Sequence, residues 1–254
     1  MPAGVPAAST VAAALVSSNL VVTPALERGW AREICGVLAM VSELPVPTLN
    51  GVWATRNDST AQDMVAGLEA VAQHRVPHCL EVRPACAAAA ARVAGRRGLV
   101  AAAETPLMVV AGPVDAPRSD ALTVRELTPD QAPLHWEVAA SAFDAPVEFF
   151  AALVTPRVLA LPEIRGYVGE VAGVPVATAM SVTVGHGVGL FNVATAPAHQ
   201  RRGYGSAMTA RAVADGLAAG ASWSWLQSSE AGHGVYGALG FTTLERWPSW
   251  VTAT

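Results

Sequence analysis

From Asn50 onward the apolar positions switch between two periods, and each switch marks an element. A continuous apolar run at Gly51–Thr55 predicts a buried strand, Thr60–Gln73 carries helical spacing, and Cys79–Val82 predicts a second strand. A helix is expected over Ala85–Ala94, with strands around Leu99–Ala103 and Leu107–Ala111. Before Asn50 the spacing is mixed. Thr10–Met40 fits one or two helices about Pro24, and Ile34–Val41 fits a strand equally well. The stretch 112–120, GPVDAPRSD, has no period and reads as a linker.

Beyond it, Leu122, Val124 and Leu127 predict a short strand, and Asp130–Phe143 and Pro146–Val154 predict helices. Tyr167–Val171 and Val174–Val184 read as a hairpin about Ala172-Gly173, and Gly185-His186-Gly187 turns into a further strand. A helix to about Leu217, a strand Trp223–Gln227, a helix ending near Leu239 and closing strands through Val251 complete the chain. The alternation is that of an α/β protein.

The densest chemistry lies at Gly189–Ala210. Leu190, Phe191, Val193 and Thr195 suit a buried strand, Pro197 ends it, and Ala207 onward has the composition of a helix start. Between them stands Gln200-Arg201-Arg202-Gly203-Tyr204-Gly205-Ser206. Two glycines that admit close backbone approach, free amides at a helix start and two guanidinium groups make an anion site suited to a pyrophosphate. A P-loop is excluded, because it needs Gly-Lys-(Ser/Thr) and all 16 basic residues are arginine. A dinucleotide fingerprint needs a third glycine where Met208 stands.

These residues resemble the acetyl-CoA motif of the GNAT N-acetyltransferases, Pro-x-x-(Gln/Arg)-x-x-Gly-x-Gly, at Pro197, Gln200, Gly203 and Gly205. A second family signature, Tyr-x-x-x-Gly-Phe, is matched by Tyr236 to Phe241. The resemblance covers Leu122 to the C-terminus. It implies the GNAT acyl-CoA N-acyltransferase fold, an α/β (α+β) architecture with a mixed central sheet flanked by helices, and acetyl-CoA as co-substrate. Amides from Arg201, Arg202, Gly203, Tyr204, Gly205 and Ser206 are expected on the pyrophosphate, and the strand edge Val193, Ala194 and Thr195 on the pantetheine. Tyr236 is the expected general acid for the departing thiolate. Ser229 stands where many relatives carry a cofactor-contacting asparagine. Glu170, Glu230, His186 and His199 are candidate bases, none preferred, since deprotonation through water serves as well.

Comparing the halves at an offset of 142 residues places Phe191-Asn192 on Leu49-Asn50, and Gly240-Phe241 and Pro248 on Gly98-Leu99 and Pro106. Gln200–Gly205 falls on Asp58–Asp63, which has two carboxylates and no glycine, and Tyr236 falls on Ala94. The first half therefore reads as a degenerate, partial GNAT-like α/β domain over residues 1–117, followed by a catalytic domain over 118–254. One acetyl-CoA per chain is expected.

Composition narrows the remainder. A chain of 254 residues with 52% hydrophobic and 14% charged positions can bury a large core, and a net charge of −4 argues against nucleic acid. Cys35, Cys79 and Cys86 are odd in number and lack metal-ligand spacing, which predicts reduced thiols, a cytoplasmic setting and no metal. Val11–Val16 is apolar but interrupted by Ser17, Ser18 and Asn19, so no membrane partner is expected. Trp223, Trp225, Trp247 and Trp250 read as packing residues. The expected activity is acetyl transfer to the amine of a small molecule or peptide by direct attack on the thioester. The alternatives are a tandem acetyltransferase similar to mycothiol synthases and a non-catalytic acyl-CoA sensor; a homodimer is compatible with all three.

Overall fold

The computed structural model describes residues 4–116 and 121–253. The end of the expected linker, and the domain division expected at residue 117, lie outside them. The chain begins with helix α1 (Ala8–Val22), strands β1 (Trp30–Ile34), β2 (Val37–Val41) and β3 (Asn50–Ala54), then helix α2 (Ala61–Ala72). Strand β4 (Cys79–Val82), helix α3 (Ala87–Arg97) and strands β5 (Leu99–Ala101), β6 (Thr105–Ala111) and β7 (Thr123–Glu126) follow. Helices α4 (Ala132–Phe143), α5 (Val147–Leu153) and α6 (Pro156–Leu159) lead to strands β8 (Ile164–Val171), β9 (Val174–Val184) and β10 (Gly187–Thr195). Helix α7 (Tyr204–Ala218), β11 (Trp223–Gln227), α8 (Glu230–Ala238), β12 (Thr242–Trp247) and β13 (Ser249–Thr252) close the chain.

Two elements differ from the sequence reading, and the four-residue helix α6 has no counterpart in it. Trp30–Ile34 is a strand and not helix, because Cys35 and Gly36 both adopt positive φ, 50° and 79°. Such a two-residue turn matches strand twist and folds β1 back on β2. Helix α7 starts at Tyr204, three residues ahead of Ala207. Tyr204 is 4% exposed and sits in the core with Met208 and Ala212, so the Gly-Tyr-Gly segment is anchored as a first helical turn.

Two compact units result, one taking Ala7–Leu107 together with the chain from Thr243 onward, the other Met108–Thr242. The six-stranded sheet runs β1-β2-β3-β4-β13-β5, with β3 and β4 parallel and β13 antiparallel to both its neighbours. Its core gathers Val37, Val52, Leu80, Met64 and Leu68 of α2, and Ala90 of α3. The seven-stranded sheet runs β12-β6-β11-β10-β9-β8-β7. Tyr167, Ala177, Ala179 and Leu190 share a core cluster with Met208 and Val213 of α7. Thr178, between those alanines and so facing the other way, meets His135 of α4. The two sheets thus repeat one order, parallel pair included. In each, the strand beside the parallel pair comes from the far part of the sequence, β13 in one and β6 in the other.

Among the described residues, one stretch, Ala8–Ala25, is long and apolar enough to cross a membrane; 44% of it is buried inside the protein.

Candidate functional site

The site begins with a fault in β10. Its register to β9 shifts between Phe191 and Ala194, and Asn192 within that interval takes φ 49°. A bulge bends its strand and raises the local twist. Accordingly the parallel ladder to β11 covers only Gly187–Gly189 against Trp223–Trp225, and the edge of Leu190–Thr195 on that side is left without a strand. The equivalent pair in the first unit stays closed. β3 and β4 pair over Gly51–Ala54, and Arg83 N donates to Ala54 O at 3.1 Å to extend the ladder.

Strand β10 runs on into the loop before α7. Pro197–His199 makes a short 3-10 turn, and Gln200 Nε2 donates to Thr195 O at 3.2 Å, tying the loop to the strand end. Arg201 and Gly203 take φ 63° and 79°, which turns the chain into α7. The first bond of that helix runs from Ala207 N to Gly203 O at 3.0 Å, and no side chain caps it. The amides of Tyr204, Gly205 and Ser206 are therefore unspent at the positive end of a helix dipole. An added carbon on Gly203 would meet nothing within 4 Å, so the loop opens onto free space. Arg201 and Arg202 are exposed beside it. This arrangement fits a diphosphate group.

The corresponding helix start in the first unit is already satisfied. Thr60 accepts from Asp63 N at 3.2 Å, and Asp63 accepts from Thr60 N at 2.8 Å, a reciprocal cap on α2. Asp58 is held by Arg56 at 2.8 Å. Its donors are spent and its charge is negative.

Tyr236 lies on α8, half-buried and edge-on to Phe241 at 5.9 Å. Burial pushes its phenol up to about 12, so it keeps its proton through the neutral range. Ser229 is the N-cap of α8, its hydroxyl accepting from Gly232 N at 3.2 Å. Of the candidate bases, Glu170 is paired with Arg125 at 2.8 Å and Glu230 is exposed in the first turn of α8. His186 lies in the turn before β10, where its carbonyl accepts from Ser222 N at 2.8 Å. His199 stacks on Tyr204 with centroids 6.4 Å apart, and its Nδ1 is buried without a hydrogen-bond partner.

Sequence reasoning missed His135. It is 0% exposed on α4, with Nδ1 2.5 Å from Thr178 Oγ1, which in turn donates to Tyr167 O at 2.8 Å. Its Nε2 is buried and unpartnered, and burial lowers its pKa to about 4. A lone histidine within an ordinary helical pattern carries no signal of this. The tryptophans pack as expected, with Trp225 and Trp247 fully buried and Trp225 edge-on to Phe191 at 5.4 Å.

Comparison with known proteins follows the same residues. The family model for the acetyltransferase (GNAT) domain matches residues 162–243, from the linker into β8 to the start of β12. The structure is similar to that of a GCN5-related N-acetyltransferase from Kribbella flavida, at 18% identity and a TM-score of 0.70 with 96% of each chain covered. It is also similar to one from Sphaerobacter thermophilus, at 14% identity and a TM-score of 0.60, covering 88% of this chain and 75% of that one. A third likeness is to a tandem GNAT protein from the clavulanic acid biosynthesis pathway, at 15% identity and a TM-score of 0.54, covering 75% of this chain and 68% of the other. At such identities the likeness is one of fold. No curated protein sequence matches the chain.

Proposed function

Starting from a chain whose residues 162–243 form a GNAT acetyltransferase domain, we propose that it is an acetyl-CoA-dependent N-acetyltransferase acting on an amine by direct attack on the thioester. The observation that carries this is the uncapped start of α7 lying next to the split between β10 and β11. The first unit has neither.

Acetyl-CoA brings the activated acyl group, and the protein supplies the rest. Amides of Tyr204, Gly205 and Ser206, with Arg201 and Arg202 beside them, bind the diphosphate. Val193, Ala194 and Thr195 present a free strand edge to which the amide-bearing arm adds as another strand would. An amide of the bulged segment polarises the thioester carbonyl. Carbon–nitrogen bond formation then accompanies carbon–sulfur cleavage, with the surplus amine proton passing to water. Tyr236 donates to the departing sulfur and is reprotonated from solvent. With its phenol near 12 and a thiol near 8.5, complete proton transfer to free thiolate is uphill by roughly 3 to 4 pK units. Its contribution is a hydrogen bond that strengthens as charge grows on sulfur, transfer finishing only as the amine proton leaves.

Release of free thiol from acetyl-CoA across a panel of primary amines, amino acids and peptides tests the proposal. Acceptor-dependent thiol release matched by acetylated product in the mass spectrum is expected. Tight acetyl-CoA binding with no turnover on any acceptor would favour a sensor.

A further inference from the structure

The first unit holds a cavity of about 440 Å³ beside its capped helix start and closed strand pair, with Asp58 and Arg83 on its wall. That volume is in the range of small-ligand sites, roughly 300 to 1,000 Å³. Its polar wall stands at the carboxyl ends of the parallel strands, with Thr55, Arg56, Asn57 and Asp58 following β3 and Arg83 following β4. Open α/β sheets bind ligands at such ends. The opposite wall is one stripe of α1, Ser9, Ala13, Val16, Ser17 and Leu20, whose small members leave the space open.

The charges define what fits. Arg83 spends Nε and Nη2 on the Glu245 carboxylate, and Arg56 spends Nε and Nη2 on Asp58. Each guanidinium keeps its Nη1 edge for another acceptor. Glu33, also on the wall, forms no ion pair among the described residues. Two guanidiniums therefore face three carboxylates, which disfavours a simple anion, while a simple cation would leave both Nη1 edges without an acceptor. A molecule bearing both charges on an apolar body satisfies all of them. We propose that this cavity binds a small aliphatic zwitterion of the amino-acid class. Its carboxylate meets Arg56 and Arg83, its ammonium meets Glu33, and its side chain lies on Ala13, Val16 and Leu20.

Calorimetric titration of the full chain with L-leucine, 3-methylbutylamine and 4-methylpentanoate tests this without acetyl-CoA present, so the outcome is independent of the reading of α7. Leucine is expected to bind once per chain and roughly tenfold or more tighter than either half-molecule. Ala13→Trp, on the exposed stripe, should abolish binding, and Glu33→Gln should reduce leucine to the affinity of 4-methylpentanoate. Both variants should keep the wild-type melting transition. No leucine binding by the wild type, or equal leucine affinity in a folded Ala13→Trp or Glu33→Gln variant, overturns the proposal.

Discussion

At Gly205 an added Cβ would meet only Thr195 Oγ1, 3.8 Å away. Gly205→Val should therefore leave the melting temperature nearly unchanged while weakening acetyl-CoA by about 1 to 3 kcal/mol, through obstruction of the diphosphate. Equal affinity in calorimetry would detach the loop from the cofactor. Tyr236→Phe removes only the phenolic donor, so kcat should fall roughly 10²-fold with acetyl-CoA affinity kept. Because burial holds that phenol near 12, the wild-type rate should rise with deprotonation of the amine and show no falling limb below about pH 10. A limb near pH 8 would assign the proton to another group. His135 makes a separate, structural prediction. Its folded pKa of about 4 lies below the unfolded value of roughly 6.5, so the unfolded chain takes up the proton first as pH falls. Stability is lost progressively below about pH 6.5, to a total of about 3 kcal/mol near pH 4. Denaturant titrations at pH 7 and 4.5 check this, and His135→Gln should flatten the difference. The Gly203–Gly205 loop and Tyr236 stand out in the sequence because the chemistry proposed for them needs particular residue types at fixed spacing. His135 does not, since its state depends on Thr178, 43 residues away in sequence.

Between elements, the difference between the units lies in how a helix starts and how far a ladder runs. Helix α7 leaves its first amides without a side-chain cap, whereas α2 satisfies its own through Thr60 and Asp63. Thr60→Ala should destabilise the first unit by about 1 kcal/mol without creating an anion site, because Asp63 still places negative charge there. Acetyl-CoA stoichiometry should stay near one per chain in both proteins, and a value near two in either would show that the first unit's closed ladder does not exclude the cofactor. The alternation of helices and strands after Asn50 was legible from period alone, to within a few residues. The bulge in β10 was not. Phe191-Asn192-Val193-Ala194 reads as uninterrupted strand, and the shift appears only when β9 is laid beside it. Strand β1 was hidden for a related reason, its identity resting on the Cys35-Gly36 turn and its pairing with β2.

Across the whole chain, the 142-residue repeat identifies equivalent strands without saying which sheet each joins. β13 is an interior strand of the first sheet. Its segment takes hydrogen bonds on both sides, Val82 N to Pro248 O at 3.1 Å and Ala102 N to Ser249 O at 2.9 Å. Arg83 and Glu245 add an ion pair with side chains 6% and 17% exposed, and Trp247 Nε1 donates to the same carboxylate at 2.9 Å. Removing one member of so buried a pair costs about 3 to 5 kcal/mol, comparable to a domain's entire stability. A chain cut in the linker therefore cannot leave two self-sufficient halves. Residues 1–117 alone would expose facing edges of β4 and β5, and residues 118–254 alone would lack β6 between β12 and β11. Expressed separately, each half should show no cooperative thermal transition and should aggregate. Expressed together, they should co-purify, melt cooperatively and bind one acetyl-CoA per pair. A first half that melts alone at the temperature of the intact chain would mean that β13 adds nothing to the sheet it completes.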